Sequence, residues 1–304
     1  MLRRGGLVAF PTETVYGLGA DASNPAAVAR IYAVKGRPPN HPVIVHIGDI
    51  GQLAHWAREI PEHAAKLAAR FWPGPLTLVL RRADGVDDDL TGGQETIGLR
   101  VPGHPVALEL LREFRGGIAA PSANRFGRIS PTSAEHVRSD LGSDVDMVLD
   151  GGACEIGIES TIVDVSRGQP VVLRPGRISE DDIAGALGFP PVPRDPGAPR
   201  APGTLQSHYA PRQPLRLVAS REWDLRVRGK STRRGVMAFR ARPAGDASAI
   251  WIEAPVDPAR YGHDLYANLR KLDSSTCDEI LVEEPPASAE WTAIRDRLSR
   301  ARSE

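Results

Sequence analysis

The sequence predicts an α/β fold followed by a second, smaller α/β domain, and three observations carry this. Up to about residue 188, short β-rich apolar runs alternate with helix-like segments. From Gly188 to Pro214 the composition changes to a proline-dense stretch, GFPPVPRDPGAPRAPGTLQSHYAPRQP. From residue 215 the alternation resumes. A chain of 304 residues is long enough for two cores, and its 41% apolar and 25% charged content is that of an ordinary globular protein.

Taken in order, Leu7 to Phe10 reads as a strand. Asn24 caps a helix that has Pro25 at its first position, presents Val28, Ile31 and Tyr32 on one face, and stops at Gly36. Val43 to Ile47 is β-rich, Pro61 to Phe71 helical, Leu76 to Leu80 a strand and Ile97 to Val101 another. A helix from Pro105 to Phe114 precedes a buried strand at Ile118 to Ala120. Thr132 and Glu135 have the spacing of a capping box for the next helix. Strands at Val145 to Leu149, Ser160 to Val165 and Val171 to Arg174, then a helix from Glu180 to Leu187, complete residues 1–188. Proline removes backbone donors and restrains its neighbours, so residues 189–214 read as a semi-rigid linker that can act as a lid. The small domain, 215–304, has strands at Leu215 to Ala219, Gly235 to Phe239, Ile250 to Glu253 and Ile280 to Val282. Its helices fit Arg260 to Leu272 and Ala287 to Ala301.

Lys plus Arg balances Asp plus Glu at 38 each, so any electrostatic function must be local. Cys154 and Cys277 stand far apart and no Cys/His cluster has zinc-ligand spacing, which suits a reduced, cytoplasmic protein. No apolar run approaches the ~18 residues of a membrane span.

Two phosphate motifs fail on context. GLGADA at 17–22 follows a polar loop and lacks the acidic residue expected about 20 positions later. GKS at 229–231 has Asp224 where a P-loop needs its first glycine. More informative are polar segments that recur at strand ends, where α/β proteins build their sites. FPTETVYGLG (10–19) follows the first strand. KGRPPNHP (35–42) sets Lys35 and Arg37 near His41. TIGLRVPGHP (96–105) puts Thr96 and Arg100 on one face of a strand, and a cation on an inner face needs a partner. APSANRFGRISP (120–131) offers Ser122, Asn124 and Ser130 among small residues. GIESTIVDV (157–165) opens with Glu159, Ser160 and Thr161, and LRPG (173–176) ends a strand in Arg174.

Together with FWPGPLTLVL and DGG, these segments resemble the YrdC-like family of threonylcarbamoyl-AMP synthases, in order and over nearly all of residues 5–188. APGTLQSHYAP (201–211) and the C-terminal AIRDRLSRA are similar to the long, two-domain form; the likeness is looser between 220 and 260. The resemblance implies a YrdC-like twisted mixed sheet with surrounding helices, plus a small Rossmann-like C-terminal domain. It implies formation of threonylcarbamoyl-AMP and pyrophosphate from L-threonine, bicarbonate and ATP, with Mg²⁺ held mainly by phosphates. The product would pass to the tRNA threonylcarbamoyl-transferase machinery.

Carried over residue by residue, the resemblance assigns Thr12, His46, Arg100, the backbone of Ala120 and the Ser160 hydroxyl to L-threonine. It assigns Lys35, Arg37, His41, Thr96, Ser122, Ser130, Arg174 and Tyr209 to ATP. Joining two anions calls for cations and hydrogen-bond donors, not for a protein nucleophile, so no covalent catalyst is expected. A carbamoyl-transfer maturation enzyme would add Cys-rich zinc fingers, which two distant cysteines cannot supply. A double-stranded RNA-binding module would rest on residues 221–242, with eight Lys/Arg against two acids, a run that supports a weak RNA contact at most. Pyrophosphate release separates these readings.

Overall fold

The computed structural model describes residues 1–227 and 233–303; the GKS tripeptide and part of the basic run therefore lie outside the described residues. Contacts divide the chain into two units, 1–126 with 131–204 and 127–130 with 205–303. The division falls inside the proline-dense stretch.

The first unit is built on ten strands: β1 (Val8–Phe10), β2 (Gly17–Asp21), β3 (Ile44–His46), β4 (Ala57–Arg58), β5 (Leu76–Arg82), β6 (Thr96–Arg100), β7 (Ile118–Ala119), β8 (Met147–Val148), β9 (Thr161–Asp164) and β10 (Val171–Arg174). They form one mixed sheet in the order β10-β9-β5-β6-β3-β7-β2-β1-β8, with β4 on the side of β5. The pairs β3/β6 and β5/β9 are parallel, while β2/β7, β3/β7 and β5/β6 are antiparallel. The central strands are thus short and nearly wholly buried, and their ends open into the polar segments singled out above.

Local chemistry explains the elements. Asn24 accepts from the Ala27 amide, and Gly36 closes helix Pro25–Lys35 with φ 62. Ser179 and Asp182 form a reciprocal capping box on helix Glu180–Leu187. The expected Thr132/Glu135 box is displaced by one residue: Ser133 caps the helix Ala134–Leu141, accepting from the His136 amide. Thr132 is drawn off by the His136 ring, whose Nδ1 accepts from its amide at 3.2 Å, and by Cys154, whose amide donates to its carbonyl.

Strand β2 escapes sequence pattern because close approach, not β-branching, selects its residues. A side chain at Gly19 would meet Ile118 and Phe10 at 2.8 Å. Two expected elements shrink. Val145 to Leu149 pairs only over Met147–Val148, and the last helix begins at Thr292, after a turn at Ala289–Trp291. Leu7, Leu18, Ile31, Val45, Leu67, Leu78 and Leu99 belong to one continuous core.

The start of the proline-dense stretch is packed rather than loose. Val192 bridges Val171 beside β10, and Ala201 is buried with Ile44, Val79 and Leu173.

Among its described residues the second unit has four parallel strands, β11 (Leu215–Val218), β12 (Arg234–Ala238), β13 (Ile250–Glu253) and β14 (Glu279–Glu283), in the order β11-β14-β12-β13. Helices Pro258–Asp273 and Thr292–Ala301 belong to it, and Trp223 packs with Val218, Val236, Ala238 and Leu281. Tyr209 is enclosed within this unit at 1% exposure. Its ring stacks on Tyr266 at 5.7 Å and lies 5.4 Å from the Arg297 guanidinium. Its φ of 63 places it in the left-handed region, held there by this packing.

Tyr209→Ala should therefore destabilise the protein by about 3 kcal/mol or more in chemical denaturation, the range for deleting a buried aromatic ring. Tyr209→Phe, which keeps the ring, should stay within ~1 kcal/mol of the wild type.

Candidate active site

The loop after β1 is organised by hydroxyls. Thr12 Oγ1 donates to the Val15 carbonyl at 2.7 Å, so in its 2.8 Å contact with Thr14 Oγ1 the Thr14 hydroxyl is the donor. Arg100 Nη1 in turn donates to Thr14 Oγ1 at 3.0 Å. Arg100, at the end of β6, is 4% exposed, and the partner its burial demanded is Glu13, bonded to Nη2 at 2.6 Å. The other Glu13 oxygen accepts from the Gly103 amide at 2.9 Å, and Arg100 Nε donates to the Gly74 carbonyl.

His46 pairs with Arg100 across β3 and β6, and its ring meets Phe10 edge-on at 5.8 Å. Burial first, and the Arg100 charge second, bring its pKa down to about 3, so the ring is neutral at physiological pH. Its Nδ1 has no hydrogen-bond partner among the described residues. Ala120 follows β7 and donates its amide to the Ile44 carbonyl. Thr12, His46, Arg100 and Ala120 are thus brought together around β1, β3, β6 and β7. Cys154 lies near Thr12, but burial pushes its thiol up to about 12, so it is no nucleophile at neutral pH.

Ser160 precedes β9, and its hydroxyl is 2.8 Å from that of Thr77 on β5. Arg174 reaches it from β10, where an irregular register between Val172 and Arg174 re-aims the strand end. Its Nε and Nη2 donate to the Ser160 carbonyl at 3.1 and 2.9 Å, Nη2 also reaches Ser160 Oγ, and Nη1 donates to the Pro202 carbonyl. One residue assigned to nucleotide thus grips one assigned to amino acid. Gly176 is obligatory here, since a Cβ would lie 2.3 Å from the Thr161 nitrogen.

Lys35, Arg37, His41 and Ser122 form a second group. Lys35 is 3% exposed, and its ammonium donates to the carbonyls of Ser122 and Asn124 at 2.6 and 2.5 Å. Burial, reinforced by Arg37, holds its pKa well below the usual lysine value. Arg37 Nη2 donates to the Pro42 carbonyl. The Phe126 ring sits 5.6 Å from the Arg37 guanidinium and 5.5 Å from the His41 ring. Thr96, at the start of β6, is half-buried and carries no side-chain hydrogen bond among the described residues.

Ser130 and Tyr209 fall in the second unit; there the Ser130 carbonyl accepts from Arg270 Nε at 3.4 Å. A cavity of about 1130 Å³ in that unit is lined by Arg216, Arg234, Glu279 and Arg300, among others, and by none of the predicted site residues.

Sequence reasoning did not single out Glu13, Thr14, Thr77 or Phe126. For Glu13 a signal existed: Arg100 on an inner strand face required an anion, and Glu13 is the acid within FPTETVYGLG.

Residues 1–176 match the family described as telomere recombination, the Sua5–YciO–YrdC group, and residues 178–303 match the C-terminal domain of threonylcarbamoyl-AMP synthase. The Bacillus subtilis threonylcarbamoyl-AMP synthase is 41% identical over 99% of this chain and 90% of its own. The Pyrococcus abyssi protein of the same name is 38% identical, covering 99% and 91%. A crystal structure of P. abyssi Sua5 complexed with L-threonine matches with a TM-score of 0.90 at 38% identity, over 99% of this chain and 91% of that one.

The His46 environment gives a pH test. The unfolded chain takes up a proton near pH 6.5 but the folded one only near 3, so folding stability falls as pH drops through this window. Between pH 6.5 and 5 the loss should be about 1.6 kcal/mol. Chemical denaturation of His46→Gln should lack that part of the slope.

Proposed function

The chain belongs to the threonylcarbamoyl-AMP synthase family, and from that premise we propose how it makes threonylcarbamoyl-AMP and pyrophosphate from L-threonine, bicarbonate and ATP. The observation that carries the reading is the convergence of Thr12, His46, Arg100 and Ala120 in a buried, polar centre at the ends of the central strands.

In this reading Arg100 receives the threonine carboxylate. Three of its donors are engaged by the protein, which leaves two of a guanidinium's five N–H groups for a ligand. The neutral His46 ring offers a lone pair toward the amino group, and Thr12, the Ala120 backbone and Ser160 complete the pocket. Arg37, His41, Thr96, Ser122 and Arg174 contact ATP, and Ser130 and Tyr209 keep the nucleotide assignment that the resemblance gives them. Lys35 acts by holding the carbonyls of the Ser122–Asn124 turn, which orients that turn's donors.

The threonine nitrogen bonds to the bicarbonate carbon with loss of water. A carboxylate oxygen of this N-carboxy species then bonds to the α-phosphorus as the bond to pyrophosphate breaks. Positioning and fixed charge can carry most of such a barrier. Among the described residues no group of three or more His, Cys, Asp or Glu is placed to hold a metal ion. A divalent cation, Mg²⁺ in our reading, would travel on the ATP phosphates, and no step here is routed through it.

We also propose that residues 1–188 act as the catalytic domain, 189–214 as its linker and 215–304 as an accessory domain. No helix among the described residues is long and apolar enough to cross a membrane. A cytoplasmic location, delivery of the product to tRNA threonylcarbamoyl-transferase machinery and a weak RNA contact through the basic run complete the proposal.

With ATP and a divalent cation, pyrophosphate release should require both threonine and bicarbonate; equal release without threonine would refute the assignment. Arg37→Ala and Arg174→Ala should each weaken ATP use, and Arg100→Ala mainly threonine use, by roughly ten- to a hundredfold. Steady-state KM values for the two substrates check this division.

A further inference from the structure

The buried ion pair between Glu13 and Arg100 has a consequence for which amino-acid-like molecules the pocket accepts. Both members are nearly excluded from water, at 8% and 4% side-chain exposure and 2.6 Å. His46 beside them is neutral. Glu13 spends its second oxygen on the Gly103 amide, so one carboxylate ties the loop after β1 to the loop after β6 and fixes the guanidinium plane between them.

A lone buried guanidinium would attract any carboxylate. One already matched by a carboxylate leaves no uncompensated charge at Arg100, which suits a ligand that is itself a zwitterion. We propose that Glu13 is a positioning and specificity-determining residue: by cancelling the Arg100 charge it makes the pocket select an α-amino acid over an isosteric α-hydroxy acid, which brings the carboxylate without the ammonium. This rests on the reading of Arg100 as the carboxylate partner.

The probes are L-threonine and the matching 2,3-dihydroxybutanoate, titrated calorimetrically into the full-length protein. The wild type should bind threonine at least tenfold more tightly; equal affinities would overturn the proposal, and this holds even if a variant fails to fold. In Glu13→Gln, threonine should weaken by roughly tenfold or more while the hydroxy acid weakens less or tightens, so that the ratio collapses. Glu13→Asp keeps the charge on a shorter arm and should keep the ratio even if both ligands weaken. If Glu13→Gln weakens both ligands equally, or neither, Glu13 is only structural and the proposal fails. Arg100→Ala separates the two levels: unchanged binding of both ligands there refutes the Arg100 reading itself, whereas loss there with an unchanged ratio in Glu13→Gln refutes only the role of Glu13.

Discussion

A cation taken out of water has to be matched group by group, and Lys35, Arg100 and Arg174 are three buried cations of the first unit that show how. Each solution uses a different partner. Lys35 draws in two carbonyls of the Ser122–Asn124 turn, Arg100 a carboxylate and a hydroxyl from the loop after β1, and Arg174 the carbonyls of Ser160 and Pro202. In every case the long side chain starts on a regular element and ends on a loop. The buried charges therefore act as tie-rods that fix irregular backbone to a helix or a strand, and the loops so fixed are the ones that carry the candidate site.

This arrangement explains why the buried polar residues of the candidate site are conspicuous in the sequence. Arginine on a strand whose neighbours are apolar is conspicuous, and so is a threonine- and serine-rich segment directly after a strand. Arg100, Arg174 and Thr12 announce themselves in this way, and Ser160 stands in a polar segment that opens a strand. Elements whose ends are set by local chemistry were equally legible: Asn24 and Gly36 mark both ends of one helix, and Val171–Arg174 and Glu180–Leu187 fall where pattern alone put them.

What remained hidden depends on contacts between distant segments. Glu13 is 87 positions from Arg100, and Thr77 is 83 from Ser160, so neither pair leaves a local signature. Strand β2 was hidden because its glycines answer to Phe10 and Ile118 and not to any alternation of its own. The helix cap moved from Thr132 to Ser133 because a histidine one turn later competes for the threonine. Tyr209 stands in a proline-dense stretch that reads as a linker, yet its ring packs on residues of the second unit more than fifty positions away.

The bond network at Arg174 limits how this protein could be remodelled. Its guanidinium holds both the carbonyl and the hydroxyl of Ser160, and the backbone around Ser160 leaves no room for a side chain at Gly176. A library that varies Ser160 to admit a different amino acid would also disturb the arginine assigned to ATP, and substitutions at the two positions would combine non-additively. Thr12 has no such link to Arg174 among the described bonds, and its hydroxyl faces its own loop. Recruitment of a new amino acid, in the laboratory or by descent, therefore engages Arg174 when it starts from β9, and Arg100 instead when it starts from Glu13 or Thr14 in the loop after β1.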